Sequence, residues 1–293
     1  GVMQIILHIG AHKTASTHLQ MAMARGRGAL AGQGVAYFGP DELRRRGLGV
    51  PEYLSAEAED TAHGERIRAA LAEPCARLVL SDENLLGNAH NVELIRTARL
   101  YDRAAARLAR LAPLLPPGQV ALALGIRNPA GFLTSAYAQR LMSGRVQSYA
   151  DYTQGLDPAR LRWTDLVERL QTALPQAVSH VWRYEDYPAN ARLVLETLLG
   201  PAALAARPGP GVAHPGLSAK AHAILMTEAS ALAGQGEEAV KERVKALRAE
   251  WPKGEQHPGY QPHDAATLRR ATAAYAEDCA RLAALPTVRA LWL

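Results

Sequence analysis

The stretch that most constrains this chain is Leu7-His8-Ile9-Gly10-Ala11-His12-Lys13-Thr14-Ala15-Ser16-Thr17-His18-Leu19-Gln20. The apolar run Ile5 to Ile9 reads as a buried strand, small residues follow, and a helical pattern starts near Ser16 or Thr17. A strand that turns tightly into a helix presents the helix N-terminus at its own carboxyl end. There the free backbone N–H groups and the positive end of the macrodipole favour an anion. Lys13 adds a full charge, and Thr14, Ser16 and Thr17 add hydroxyl donors. Charge-assisted hydrogen bonds contribute roughly 1.5–3 kcal/mol each, so a handful of them can hold a multiply charged phosphate. The loop is not a Walker A motif, which ends in Gly-Lys-Ser/Thr. Here no glycine adjoins the lysine, and the hydroxyls follow it.

Short apolar runs alternate with longer Ala/Leu/Arg-rich stretches through most of the chain. Ile5 to Ile9, Leu78 to Ser81, Val120 to Ile126 and Val178 to Tyr184 read as strands, with one more short strand within residues 32–40. Thr17 to Ala31, Val92 to Leu111, Ala130 to Leu141, Leu161 to Ala173 and Asn190 to Leu199 read as helices. This rhythm predicts a three-layer α/β sandwich around a central parallel sheet. Residues 41–74 read as a loop-rich insertion with a helix near Glu65 to Leu71. After the break at Pro208-Gly209-Pro210-Gly211, the stretches Ser218 to Ala233, Glu237 to Trp251 and Asp264 to Leu282 read as helices with no strand. The expected organisation is a body over residues 1–205 and a helical C-terminal cap over 206–293, packed on the same domain.

A second signal lies at Arg127-Asn128-Pro129, which follows the strand Val120 to Ile126. Arg127 falls at the carboxyl end of a strand, where α/β sheets bind ligands. Pro129 suits the first turn of the next helix, and Ser135 follows about two turns on. A planar guanidinium matches phosphate geometry. A third signal is Tyr184-Glu185-Asp186, where Asp186 also reads as a helix cap.

The order strand–Gly-x-x-Lys-Thr-small-Ser/Thr-Thr–helix resembles the 5′-phosphosulfate loop of sulfotransferases that use 3′-phosphoadenosine-5′-phosphosulfate. It is most like the bacterial branch with His-Ile-Gly-x-His-Lys-Thr-Gly-Thr-Thr. Arg127 and Ser135 resemble that family's 3′-phosphate site, and Tyr184 its adenine contact; the resemblance covers roughly residues 4 to 200. Ala15 departs from the family's glycine and would be strained if φ there is positive. The resemblance implies a P-loop-like fold with His12, Lys13, Thr14, Ala15, Ser16 and Thr17 at the 5′ end of the donor. It implies Lys13 as the group stabilising charge on the bridging oxygen. Glu83, in Ser81-Asp82-Glu83, resembles the Ser-x-Glu of bacterial members and is the first choice of general base, with His12, His8 and Asp82 as alternatives. His8 also reads as a core histidine, and Arg207 as a stand-in for the Arg-Lys-Gly loop of the eukaryotic branch.

The expected activity is sulfuryl transfer to a hydroxyl or amine of a small molecule, lipid or glycan. A nucleotide kinase or NTPase, or a non-catalytic nucleotide- or glycan-binding protein, remains the alternative. A net charge of +5 admits anionic ligands. The arginines at helix spacing, Arg103, Arg107 and Arg110, read as a solvated face, and no nucleic-acid partner is expected. Cys75 and Cys279 read as free thiols, no metal cluster or membrane span is evident, and a cytoplasmic location without a secretory leader is expected.

Overall fold

The computed structural model describes residues 1–87, 98–211 and 216–292. Its centre is a sheet of β1 (Gln4–Gly10), β2 (Val35–Phe38), β3 (Arg77–Ser81), β4 (Gln119–Ile126), β5 (Val178–Arg183) and β6 (Val288–Ala290). The order is β2-β3-β1-β4-β5-β6, and every neighbouring pair is parallel. Alternation along β1 divides the core in two. Ile5, Leu7 and Ile9 enter one apolar cluster, and Ile6 enters the other. The first cluster takes α6 (Ala104–Leu111), α7 (Pro129–Met142), α9 (Trp163–Ala173) and α13 (Ala265–Ala283). The second takes α1 (Ser16–Arg25) and α10 (Tyr187–Leu199). Helices therefore cover both faces, as the alternating strand and helix patterns predict.

The topology places the site. From β1 the chain crosses to β2 on one side, whereas from β4 it crosses to β5 on the other. Adjacent strands whose connections diverge leave a crevice at their carboxyl ends. Here that crevice receives the 11–15 loop from β1 and Arg127 from β4.

Several expectations need correction. The helix expected over Thr17 to Ala31 breaks at Gly26, between α1 and α2 (Arg27–Gly32). A Cβ at Gly26 would lie 2.1 Å from the Ala205 carbonyl oxygen, so a distant segment packs directly on this backbone. Residues 41–74 are not loop-rich: they hold most of α3 (Pro40–Arg45), and α4 (Val50–Ser55) and α5 (Thr61–Leu71). The first two are too short to show a period, and they are stabilised by burying Leu43, Val50, Tyr53 and Leu54. Of the helix expected over Val92 to Leu111, residues 92–97 lie outside the described residues and the helix begins at Ala104. Arg107 is not on a solvated face. It is buried and donates to the Leu85 carbonyl at 3.0 Å and the Ser55 hydroxyl at 2.7 Å.

The C-terminal segment also differs from expectation. It forms α11 (Ala219–Ala233), α12 (Glu237–Glu250) and α13, and then adds β6 to the edge of the sheet beside β5. Three residues are too few to display a strand pattern in sequence. Asp278 on α13 accepts from the backbone N–H of Trp163 at 2.6 Å and from the Thr164 hydroxyl at 2.6 Å. It thereby satisfies the start of α9, where the local residue Arg162 supplies no side-chain cap. The segment is thus tied into the body by a strand pairing and by a cap reaching across the fold. Among the described residues no helix is long and apolar enough to cross a membrane.

Candidate active site

The β1–α1 loop is held from within. The Thr14 hydroxyl donates to the Ala11 carbonyl at 2.7 Å, and the Ala11 N–H donates to the Gly125 carbonyl of β4 at 2.8 Å. Lys13 and Ala15 take left-handed backbone conformations, with φ of 63° and 68°. Ala15 is the N-cap of α1 and makes no side-chain cap bond, so the first N–H groups of the helix are left to an outside acceptor. The strain foreseen for an alanine there is present.

These elements open on a cavity of about 1010 Å3. Lys13 lines it and donates from Nζ to Gln139 Oε1 at 3.4 Å. Burial, then the Arg127 guanidinium, push the Lys13 ammonium below lysine's usual range, with Glu83 acting in the opposite direction. Arg127 lines the same cavity. Its Nη1 donates to the Lys13 carbonyl at 2.9 Å, and its guanidinium lies 4.2 Å from the centre of the Tyr184 ring. These contacts hold the fork in one orientation. Ser16, Thr17, Ser135, Tyr184 and Glu83 also line the cavity. Thr14 does not, since its hydroxyl is turned into the loop.

The alternatives to Glu83 as base are placed elsewhere or already engaged. His8 is buried beside Trp182, bonded through Nδ1 to Ser81 Oγ at 2.7 Å, and burial holds its pKa down at about 4. Asp82 is also buried and caps the turn after β3 by accepting from the Asn84 N–H at 2.9 Å. Burial and then the neighbouring Glu83 push it up to about 7. His12 lines the cavity, but both its ring nitrogens are engaged. Its backbone N–H donates to the Tyr101 hydroxyl at 2.9 Å. That hydroxyl donates to Nδ1 at 2.8 Å, leaving Nε2–H for Asn84 Oδ1 at 3.1 Å.

Sequence reasoning missed the cavity's other wall. Arg25 at the end of α1, and Lys253, His222 and Tyr260 from the C-terminal segment, line it. Arg207 is exposed and does not; it contributes its carbonyl, which accepts from Arg25 Nη1 at 3.3 Å. The His222 and Tyr260 rings stack with centroids 3.6 Å apart, and His222 Nε2 meets the Tyr137 hydroxyl at 2.8 Å. Only Lys253-Gly254 carried a signal, a cation beside a glycine, and one such pair in a Pro-rich turn is not diagnostic. Among the described residues Lys13, Arg25, Arg127 and Lys253 line the cavity with one carboxylate, Glu83, so this lining is electropositive. Among the described residues no group of His, Cys, Asp or Glu could hold a metal ion.

Fold and site together define an α/β protein whose β1–α1 loop lies at a topological switch point of a parallel sheet. No family model matches the chain, and no curated protein matches it. Among solved structures it is similar to a sulfotransferase from Alicyclobacillus acidocaldarius. The two are 12% identical, with a TM-score of 0.43, over 86% of this chain and 96% of that one. A likeness so distant does not identify an activity.

Proposed function

We propose that the protein is a sulfotransferase that takes its sulfuryl group from 3′-phosphoadenosine-5′-phosphosulfate. The observation that carries this reading is the joint position of Lys13 and Arg127. Two cations from adjacent strands line one cavity, beside a helix N-terminus with no side-chain cap. A donor with phosphate on both sides of its ribose matches two such sites. The α1 N-terminus with Ser16 and Thr17 would hold the 5′-phosphate. Arg127 and Ser135 would hold the 3′-phosphate, and Tyr184 the adenine. Thr14 would contribute through its backbone, since its hydroxyl is committed to Ala11.

In the reaction the acceptor hydroxyl oxygen forms a bond to sulfur as the bond from sulfur to the bridging phosphate oxygen breaks. Adenosine 3′,5′-bisphosphate leaves, and the acceptor proton passes to Glu83. Lys13 would stabilise the charge that develops on the bridging oxygen. A lysine whose neutral form is favoured by burial can also pass a proton to that oxygen. The cations that line the cavity among the described residues disfavour a protonated amine, so a hydroxyl is the better acceptor.

Calorimetry with adenosine 3′,5′-bisphosphate, set against ATP and GTP, tests the reading. The bisphosphate should bind more tightly than either, and Lys13→Ala and Arg127→Ala should each weaken it about tenfold or more. A preference for ATP with Mg2+ would overturn it in favour of a kinase or NTPase.

A further inference from the structure

We propose that Gln20 is a positioning residue for Glu83, holding one carboxylate oxygen so that the other faces the acceptor. This rests on the reading above, in which Glu83 receives the acceptor proton. Gln20 lies on α1 behind the phosphate loop and is buried. Its Nε2 donates to Glu83 Oε2 at 2.9 Å and to Ser81 Oγ at 3.2 Å, which uses both amide hydrogens. Ser81 Oγ, having accepted from the amide, is also hydrogen-bonded to His8 Nδ1 at 2.7 Å. Burial keeps the His8 ring neutral, so this buried bond adds no charge beside the amide.

Both amide hydrogens of Gln20 are therefore committed, one to Glu83 and one to Ser81. Flipping the amide would set its carbonyl oxygen against the Glu83 carboxylate, acceptor against acceptor. Glu83 thus sets the amide's orientation, while Ser81 at the buried strand end holds the amide, and through it the carboxylate, in place. Among the described residues no protein donor reaches Glu83 Oε1, while Glu83 lines the cavity. Gly10 gives the carboxylate its place, because a Cβ there would lie 3.2 Å from the Glu83 Cβ. From below, Arg107 holds the turn that carries Glu83, through the Leu85 carbonyl.

The charged and titratable groups that act on Glu83 come from every side. They are Lys13 on the loop, Asp82 on its own turn, His8 on β1, Tyr37 on β2, and Tyr101 before α6. Removing the Gln20 amide changes none of these, so its effect on Glu83 can be read separately.

The test has two readouts in the full chain. The first is donor-site binding, followed by calorimetry with adenosine 3′,5′-bisphosphate. The second is release of adenosine 3′,5′-bisphosphate from the donor, with water as acceptor. Gln20→Met keeps the side-chain volume and deletes the amide. It should leave bisphosphate affinity within about twofold of the parent, because the amide contacts Glu83 and Ser81 and not the loop hydroxyls. It should lower kcat about tenfold to a hundredfold with donor KM changed less than about twofold. Ser81→Ala, which loosens the amide without removing it, should give the same changes at smaller size, and it serves if Gln20→Met does not fold. If kcat stays put in both variants while Glu83→Gln is inactive, the positioning role fails and the base remains. Full activity in Glu83→Gln would instead overturn the base assignment beneath it.

Discussion

The two walls of the cavity are built on different principles. The wall made by the β1–α1 loop and the end of β4 comes from short runs of consecutive residues. It is held by backbone bonds such as Ala11 to Gly125 and by the Thr14 hydroxyl on Ala11. The wall made by the C-terminal segment draws Leu217, His222, Lys253 and Tyr260 from scattered positions, held by the His222–Tyr260 stack and the Tyr137 hydroxyl. The first presents a rigid set of donors anchored to the sheet centre. The second presents side chains of the C-terminal segment, of which Leu217 and His222 are buried and Lys253 is exposed. Under the proposed function the first wall would take the donor and the second would face the acceptor.

The sharpest way to break this contrast is to remove one cation from each wall. Lys13→Ala should reduce turnover by about a hundredfold or more, as expected for a group acting on charge formed in the transition state. Lys253→Ala, on an exposed rim, should weaken bisphosphate binding by only about threefold to tenfold, and less at high salt. Turnover and calorimetry in two salt concentrations read both. Equal losses would show that the second wall is part of the fixed donor site.

A smaller effect separates the buried groups behind the first wall. Asp82, near 7 when folded and near 3.8 when unfolded, is neutral in the fold over the range where the unfolded chain ionises. Its contribution to stability therefore falls as pH rises from about 4 to 7. His8, near 4 when folded and 6.5 unfolded, acts in the opposite sense, and its contribution rises with pH from about 4 to 6.5. Asp82→Asn keeps an acceptor for the Asn84 N–H and leaves His8 unopposed. Chemical unfolding at pH 4.5 and 6.5 should then show stability rising more steeply with pH in the variant, by on the order of 2 kcal/mol.

The smallest test concerns loop strain. Ala15→Gly removes the Cβ from a residue at φ 68°, and should stabilise the protein by about 0.5–1 kcal/mol, or roughly 2 °C in Tm. Bisphosphate affinity should change little. A loss of stability would mean that the Ala15 side chain, packed against the apolar cluster over α1, outweighs the strain.

How much of this was legible in the chain varies with the distance between partners. The strands β1, β3, β4 and β5 could be read because five to eight consecutive residues repeat one pattern. Lys13 and Arg127 could be placed because each sits a fixed few residues beyond a strand end. The break at Gly26 could not be read, because it depends on the backbone near Ala205. Nor could the burial of Arg107, whose acceptors lie on two other elements, although its Ala/Leu setting is that of any exposed helix. The sequence resemblance named Thr14 among phosphate donors, yet its hydroxyl turns inward because the tight loop leaves the Ala11 carbonyl within reach.

The sequence by itself determined the parallel α/β body and the strand–loop–helix from His8 to Gln20. Backbone geometry carries those features, and consecutive residues specify it. Only the tertiary structure decided that Asp278 caps α9, that Val288 to Ala290 complete the sheet, that Lys253 reaches the cavity, and that Gln20 ties Glu83 to a buried histidine. Each is a meeting of side chains or strands from elements far apart in the chain. Their partners are chosen by packing, which no local pattern encodes.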